Sequence, residues 1–449
     1  MKRTPISRRY LAGSLLVLVV AAVTLSCGKD SGLVKPSGTA NRSGNASGAP
    51  PFPSNGTFVP TDAVVVLQPN VDIADFADMH EVDLLASLEL PQAGTFPERT
   101  YYLVRSKDEK PIDFTDFGEG ALWVNQHNRI WIPEDDRGGL SFDDDQTWRQ
   151  GGDYFDQPSI NRLAIPAAHA ISKGSGETIA ILDTGIDAGH RLFQGGPKID
   201  PGLNFTVFPP DGAIEDTGNG ANEDDPDETD PENNPDDGTG HGTHVAGIVL
   251  AGAPDATLLI YKVLDDEGRG TVFGLAMAAR YAADKGARVI NLSLGLHVDD
   301  PLLRHALQHC TDKGVAVVAS AGNRGTSEIQ YPAGYDFVHS VAAVDDDDVR
   351  PNFASYGSTV DASAPGVDVV GPIPAFYGTD LYAIASGSSM STAFFSAAVA
   401  VARSRWTSSA PVDAADHVAA NGVDISALNP GYALGERVNF LLPLQTAAP

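Results

Sequence analysis

From Ile160 onward the chain carries short, unbroken apolar runs: Thr178 to Leu182, Leu258 to Tyr261, Val289 to Leu292, Val315 to Ala319 and Val338 to Val344. Runs of this length without apolar–polar alternation are what strands buried on both faces look like, as in a parallel sheet. Between them, Val272 to Lys285 and Leu302 to Lys313 have apolar residues at helical spacing, and Gly314 stands where a C-cap belongs. A small-residue run, Val245 to Leu250, reads as another helix. Strands alternating with helices predict an α/β fold, a doubly wound parallel sheet with helices on both faces. In such sheets ligands gather at the carboxyl ends of the strands.

The first third has a different pattern. Ala63 to Leu67, Tyr101 to Val104 and Ile130 to Pro133 are strand-like, and Ile73 to Leu88 has helical spacing through Ile73, Phe76, Ala77, Val82 and Leu85. Residues 58–134 are therefore expected to form a small α+β domain, with Trp123 and Trp131 in its core. Residues 135–156 are acidic and Gly-rich, a linker with a processing site, and 28–57 are a Gly-, Ser- and Pro-rich tether. Ahead of these, Lys2, Arg3, Arg8 and Arg9 precede an apolar run from Leu11 to Leu25. A basic start and an apolar stretch too short to span a bilayer with flanks predict a signal peptide over 1–27. The run ends at Cys27, which resembles a bacterial lipobox, although Leu25 lies one place nearer the cysteine than usual. Two readings follow: a lipid anchor through Cys27 in the cell envelope, or plain secretion.

Composition narrows the partners. Across 449 residues, 59 acidic side chains against 30 Lys and Arg give a net charge of −29, which would repel nucleic acid phosphates. Two cysteines, Cys27 and Cys310, supply no disulfide framework, and Cys310 sits on an apolar-patterned helix as a buried free thiol.

Three reactive side chains fall at strand ends or helix starts. Asp183 ends the run Thr178 to Leu182, His241 stands between Gly240 and Gly242 ahead of the small-residue helix, and Ser389 precedes another such helix, Thr392 to Arg403. A hydroxyl becomes a useful nucleophile when an imidazole takes its proton, and a buried carboxylate must orient that imidazole. Asn323, after the Val315 run, offers an amide for a developing oxyanion, with the backbone N–H of Ser389 as a second donor. For His241 taken alone, a flexible Gly-rich turn or a zinc pair with His244 are the alternatives, the latter without the Glu of H-E-x-x-H.

Five segments in this order, Asp183-Thr184-Gly185, Gly240-His241-Gly242-Thr243-His244, Ser293-Leu294-Gly295, Ala321-Gly322-Asn323 and Gly387-Ser388-Ser389-Met390, resemble the subtilisin-like serine proteases, whose triad runs Asp, His, Ser. The resemblance covers about 157–445, including Asn429 to Asn439 as the family's final helix. It implies Asp183 as the orienting residue, His241 as general base and acid, Ser389 as nucleophile and Asn323 as oxyanion donor. It gives Ser293, Leu294 and Gly295 the role of a strand edge for extended polypeptide substrates. Ser320, Ala321 and Gly322 then wall the pocket for the side chain before the scissile bond, with Gln330 near its floor and Arg324 favouring an acidic or polar occupant. It further implies that 58–134 is a propeptide, an intramolecular inhibitor whose C-terminal end occupies the active site, and that the enzyme is a monomeric zymogen needing no cofactor for chemistry. The rival class is an inactive relative that binds peptides along the same edge.

The chain departs from the family pattern in Ser388 for Thr, Ser391 for Ala and Ala393 for Pro. After the His241 helix, Ala251-Gly252-Ala253-Pro254 leads into the next strand without room for a calcium loop. Residues 211–237 hold twelve Asp or Glu and no Lys or Arg. They are either a solvated loop or a structural calcium site through Asp225, Asp227, Asp230, Asn233, Asn234 and Asp237. Their charge is also expected to raise the pKa of His241. Asp345 to Asp348 reads as a solvated turn, and His169, His190, His297, His305 and His309 as surface or packing residues.

Overall fold

The computed structural model describes residues 58–118, 120–134, 154–194, 198–200, 202–208, 240–374 and 382–449. The signal peptide with Cys27, the tether, linker residues 135–153 and the acidic run with its candidate calcium ligands lie outside them.

The N-terminal region comprises β1 (Phe58–Leu67), α1 (Ile73–Met79), β2 (Val82–Leu90), β3 (Arg99–Ser106) and β4 (Ala121–Trp131). They form an antiparallel sheet in the order β2-β3-β1-β4, with a core of Ala63, Val65, Phe76, Val82, Val104, Phe117 and Ala121 under α1. The expected helix over 73–88 therefore ends at Met79. Glu81 takes a left-handed φ of 51°, and Val82, Ala86, Leu88 and Leu90 bury one face of a strand instead. Val82 and Leu85 satisfy helical spacing, but the alternation through Ala86, Leu88 and Leu90 fits a period of two.

The larger region begins with α2 (Pro158–Arg162) and α3 (Ile165–His169), followed by β5 (Thr178–Asp183) and β6 (Lys198–Asp200). Next come α4 (His241–Gly252), β7 (Thr257–Lys262), β8 (Arg269–Thr271), α5 (Val272–Asp284), β9 (Val289–Leu292) and α6 (Pro301–Asp312). β10 (Ala316–Ser320), β11 (His339–Val344), β12 (Ala362–Pro365), β13 (Val369–Pro372) and β14 (Tyr382–Ala385) precede α7 (Ser388–Arg405). α8 (Pro411–Ala420), β15 (Glu436–Arg437) and α9 (Leu441–Gln445) close the chain. Eight strands pair in parallel in the order β15-β12-β11-β10-β9-β5-β7-β6. Helices cover both faces, α5 packing on α6, and α7 on α4 and α8. Every residue of α4 is buried, and α7 buries Met390, Phe394 and Phe395. A helix apolar all round belongs in the centre of a large protein, and each buried Phe contributes about 1.5–3 kcal/mol.

Strand order reverses at β5, whose neighbours are β9 on one side and β7 on the other. That is the topological switch point, and Asp183 is the last residue of β5.

Three expectations change. Asn429 to Asn439 is not a helix: Gly431 and Gly435 take left-handed φ of 88° and 65°, and Glu436–Arg437 pair with β12. Asp348 is not solvated; it is buried against Arg162 and Arg437, at 2.7 and 2.8 Å. Trp131 does not fill the core of the small domain but meets Gly295 of the larger region, its ring 5.2 Å from that of His297.

Cys310 is fully buried, its thiol directed at the carbonyl of Ala279, and burial pushes its pKa up to about 12. It is expected to resist iodoacetamide near pH 8 in the folded chain and to react fully in concentrated guanidinium, as read by peptide mass mapping.

Candidate active site

The sheet places the reactive residues at the carboxyl ends of adjacent strands. Asp183 leaves β5, Ser293 follows β9, and Asn323 lies three residues beyond β10. His241 and Ser389 sit in the first turns of α4 and α7, and those two helices pack together. Sequence placed Ser389 ahead of its helix; α7 in fact begins at Ser388.

Asp183 Oδ1 accepts from Thr184 N at 2.8 Å and lies 2.7 Å from His241 Nδ1. The bond assigns the imidazole its proton at Nδ1 and turns Nε2 the other way. Two hydroxyls latch the β5 loop to α4: Gly242 N donates to Thr184 Oγ1 at 2.9 Å, and Asp187 N to Thr243 Oγ1 at 2.8 Å. Gly240 takes a left-handed φ of 91° to start the helix abruptly.

Across the cleft, Asn323 Oδ1 accepts from Ser388 N at 2.9 Å, which aims Nδ2 into the site. Gly322 N donates to Ser388 Oγ at 3.2 Å, so serine in place of the usual threonine keeps the hydroxyl that ties the 322–323 turn to α7. Ser391, where the family has alanine, donates to Ala364 O at 2.9 Å. Ala393 is buried within α7, whose first turn Thr392 secures by donating to Ser388 O at 2.7 Å. Ser396, Asn291 and Ser293 form a buried chain of hydrogen bonds that ends with Ser293 Oγ donating to Ser389 O at 3.0 Å.

One more residue completes the site. Glu134 is fully buried: Ser389 Oγ donates to its Oε2 at 3.0 Å, Asn323 Nδ2 donates to its Oε1 at 3.0 Å, and His241 Nε2 stands 3.4 Å from Oε2. Burial pulls the His241 pKa down, but Asp183 and then Glu134 outweigh it and raise it well above the ordinary imidazole value. Among the described residues, the carboxylates responsible are Asp183 and Glu134. His244 behaves in the opposite way: burial, and then its neighbour His241, lower it to about 4. Its Nε2 meets the carbonyl of Ala383, away from the partners of His241, and no cluster of three metal-ligating side chains occurs among the described residues.

Residues 129–132 lie between two edges of the larger region. Arg129, Ile130 and Trp131 pair antiparallel with Thr271, Gly270 and Arg269, and Ile132 N donates to Gly268 O at 3.0 Å. On the other side Trp131 and Gly295 exchange both backbone bonds, at 3.1 and 2.9 Å. The small domain also seats on α6. Asn125 and Asn128 donate to Asp300 Oδ2 at 3.2 and 2.7 Å, while Asp300 Oδ1 caps the helix. His305 bridges Tyr101 Oη and the carbonyl of Pro91, at 3.0 and 2.8 Å.

A family model described as the subtilase family, Peptidase_S8, matches residues 174–426. Thermitase of Thermoactinomyces vulgaris is 36% identical over 274 residues, covering 58% of this chain and 88% of that protein. Subtilisin BL of Lederbergia lenta is 34% identical over 281 residues, or 60% of this chain and 92% of that protein. The chain belongs to the subtilase family. The fold agrees with the crystal structure of fervidolysin from Fervidobacterium pennivorans, a keratinolytic enzyme related to subtilisin, at a TM-score of 0.67 and 19% identity. That alignment covers 88% of this chain and 62% of the other.

This subtilase is a serine-type peptidase. Its described residues bring Asp183, His241, Ser389, Asn323 and Ser293 into one cleft. Beside it Gln330 ties two turns together, its Nε2 donating to Ser320 O and Ser320 Oγ at 3.0 Å and to Leu294 O at 3.4 Å, with Gly295 and Gly322 against its side chain and Leu294 buried in the main core. Ala321 is turned into the sheet, its N donating to Val341 O, and Arg324 is half-buried next to Asn323. Sequence reasoning put the C-terminal end of 58–134 in the active site without singling out the side chain of Glu134, and it missed Thr243 and His305 as working residues. Thr243 carried a signal in its place inside the His241 motif, and Glu134 in its place at the end of 58–134.

A Cβ at position 242 would stand 2.2 Å from Gly185 O. Gly242→Ala must therefore push the β5 loop and the start of α4 away from each other at the Asp183–His241 junction. It is expected to cost about 1–3 kcal/mol in stability and to lower kcat with little change in KM, measurable by thermal unfolding and peptide hydrolysis.

Proposed function

We propose that the chain is exported as a zymogen and that its larger region, residues 157–445, is an endopeptidase acting on extended polypeptides. Ser389 Oγ attacks the scissile carbonyl while His241 Nε2 takes its proton and then passes it to the leaving amine, giving an acyl-enzyme that water hydrolyses by the same relay. Asp183 fixes the tautomer and favours the imidazolium. Asn323 Nδ2 and the backbone N–H of Ser389, which has no acceptor within the helix in the first turn of α7, receive the developing oxyanion. The observation that carries this reading is that a single carboxylate touches Ser389 Oγ, Asn323 Nδ2 and stands within 3.4 Å of His241 Nε2. Three groups from three elements thus reach one reacting centre.

Substrate backbone takes the place of residues 129–132 between Gly268–Thr271 and Ser293–Gly295, and its side chain before the scissile bond enters the space walled by Ser320–Gly322. Residues 58–134 serve as the propeptide, processing falls within 135–156, and Cys27 carries a lipid anchor. The test is labelling of the processed chain by a fluorophosphonate, which needs an activated hydroxyl. Labelling that Ser389→Ala removes supports the reading, whereas an unlabelled processed chain supports a peptide-binding relative.

A further inference from the structure

The substrate-like strand stops one residue short of the chemistry. Backbone N–H groups along 130–132 point alternately to the two flanking edges: Trp131 to Gly295 and Ile132 to Gly268. In that antiparallel register residue 133 faces Ser293, and residue 133 is proline, which has no N–H to give. Residues 133–134 turn out of the extended conformation there, and what enters the site is the side chain of Glu134.

We infer that Glu134 is the inhibitory group of the precursor, a side-chain carboxylate that occupies the oxyanion position and disables the Ser389–His241 pair while the chain is intact. This assignment rests on the triad proposed above. Two separate effects follow from the contacts. Oε1 takes the Asn323 donor that a tetrahedral intermediate would need. Oε2 draws the Ser389 hydroxyl proton to itself and faces His241 Nε2, so the hydroxyl no longer points its proton at a base. The raised pKa of His241 agrees: between two carboxylates the imidazole holds a second proton and has no lone pair to accept another. Glu134 thereby differs from a bound substrate, because what Ser389 Oγ and Asn323 Nδ2 share is a side-chain carboxylate. The segment docks as a strand and blocks as an anion.

The experiment is the rate at which a fluorophosphonate labels the full-length, unprocessed chain, followed as its own band on a denaturing gel, for wild type, E134A and E134Q. Hydrogen exchange at the Trp131 and Ile132 amides is measured alongside. Labelling requires the open site, so the rate scales with the fraction of chains in which the carboxylate has left. The expected result is a gain of at least about tenfold for E134A and a gain in the same direction for E134Q, with both amides still protected in E134Q. Rates within about threefold of wild type in both variants would overturn the inference. So would faster labelling accompanied by lost amide protection in both, since release of the whole strand would then be the cause. A processed wild-type chain that never labels would count against the triad reading instead, which keeps the two failures apart.

Discussion

Ser389→Ala is expected to abolish peptide hydrolysis while leaving the fold unchanged. Ser389 Oγ is buried and bonds to Glu134 and, at 3.5 Å, to Ser293 O, so its loss removes one hydroxyl from a site whose other contacts persist. Ser293 Oγ still donates to Ser389 O, and Asn323 still accepts from Ser388 N, because both use backbone atoms. The fall in kcat should be on the order of 10⁶, the size of the effect in subtilisin itself, where the oxyanion donors and binding alone retain about 10³–10⁴-fold over water. KM should change little. Steady-state hydrolysis of a fluorogenic peptide and the melting temperature check the two halves of this expectation. A variant that still hydrolyses peptide within a hundredfold of wild type would exclude Ser389 as nucleophile, roughly the residual left by losing only one oxyanion donor.

Asp183→Asn is expected to cost about 10⁴-fold in kcat at neutral pH, comparable to the same change in other triads. The amide oxygen can replace Oδ1 as acceptor for Thr184 N, so the loop holds. An asparagine can instead turn its NH₂ toward Nδ1, which then carries the lone pair and leaves the proton on Nε2, the wrong nitrogen for a base. The sign of the accompanying pKa change is fixed. Burial lowers His241 and Asp183 is the larger of the two influences that raise it, so without Asp183 the imidazole must titrate lower. The measurable consequence is an acid limb of kcat/KM displaced to lower pH, together with a loss of rate that rising pH does not restore. Loss restored at neutral pH would mean that Asp183 acts only on the charge of His241 and not on its tautomer.

Much of this site was legible because its chemistry is written in short segments. Gly240-His241-Gly242 must be small for α4 to approach the β5 loop, and Asp183 ends a strand whose apolar run marks it as central. Ser388 and Asn323 are also tied to motifs, since they hydrogen-bond each other's backbone or side chain. That the end of 58–134 enters the site was legible from the resemblance, but the part played by the Glu134 side chain was not. Glu134 lies 255 residues from Ser389, and its role depends on a strand inserted between two distant edges and on a proline that ends the pairing. His305 and Asp300 were hidden for the same reason, because their partners belong to a different sheet. Local ambiguity explains the remaining differences. Val82 and Leu85 satisfy two periods at once, and the helix that the resemblance implied over Asn429 to Asn439 is broken by two glycines with a left-handed backbone. Asp348 looked solvated because the arginines that bury it, Arg162 and Arg437, lie far away in sequence.

If substrate takes the place of residues 129–132, as proposed, the hydrogen bonding of that segment on both sides sets what the cleft can select. Neighbouring strands lie about 4.7–4.9 Å apart, so the gap between Gly268–Thr271 and Gly295 is about 10 Å wide with that segment gone. Both walls of the gap then present unpaired N–H and C=O groups. A helix has already spent its backbone groups internally, and a strand within a sheet has at most one free edge. Neither can satisfy two walls at once. Only a segment that has come loose from its own structure has both rows of groups to offer. The enzyme's discrimination among folded proteins should accordingly follow how often each one opens locally, so that two substrates with the same cleavable sequence differ in rate as their local unfolding equilibria differ.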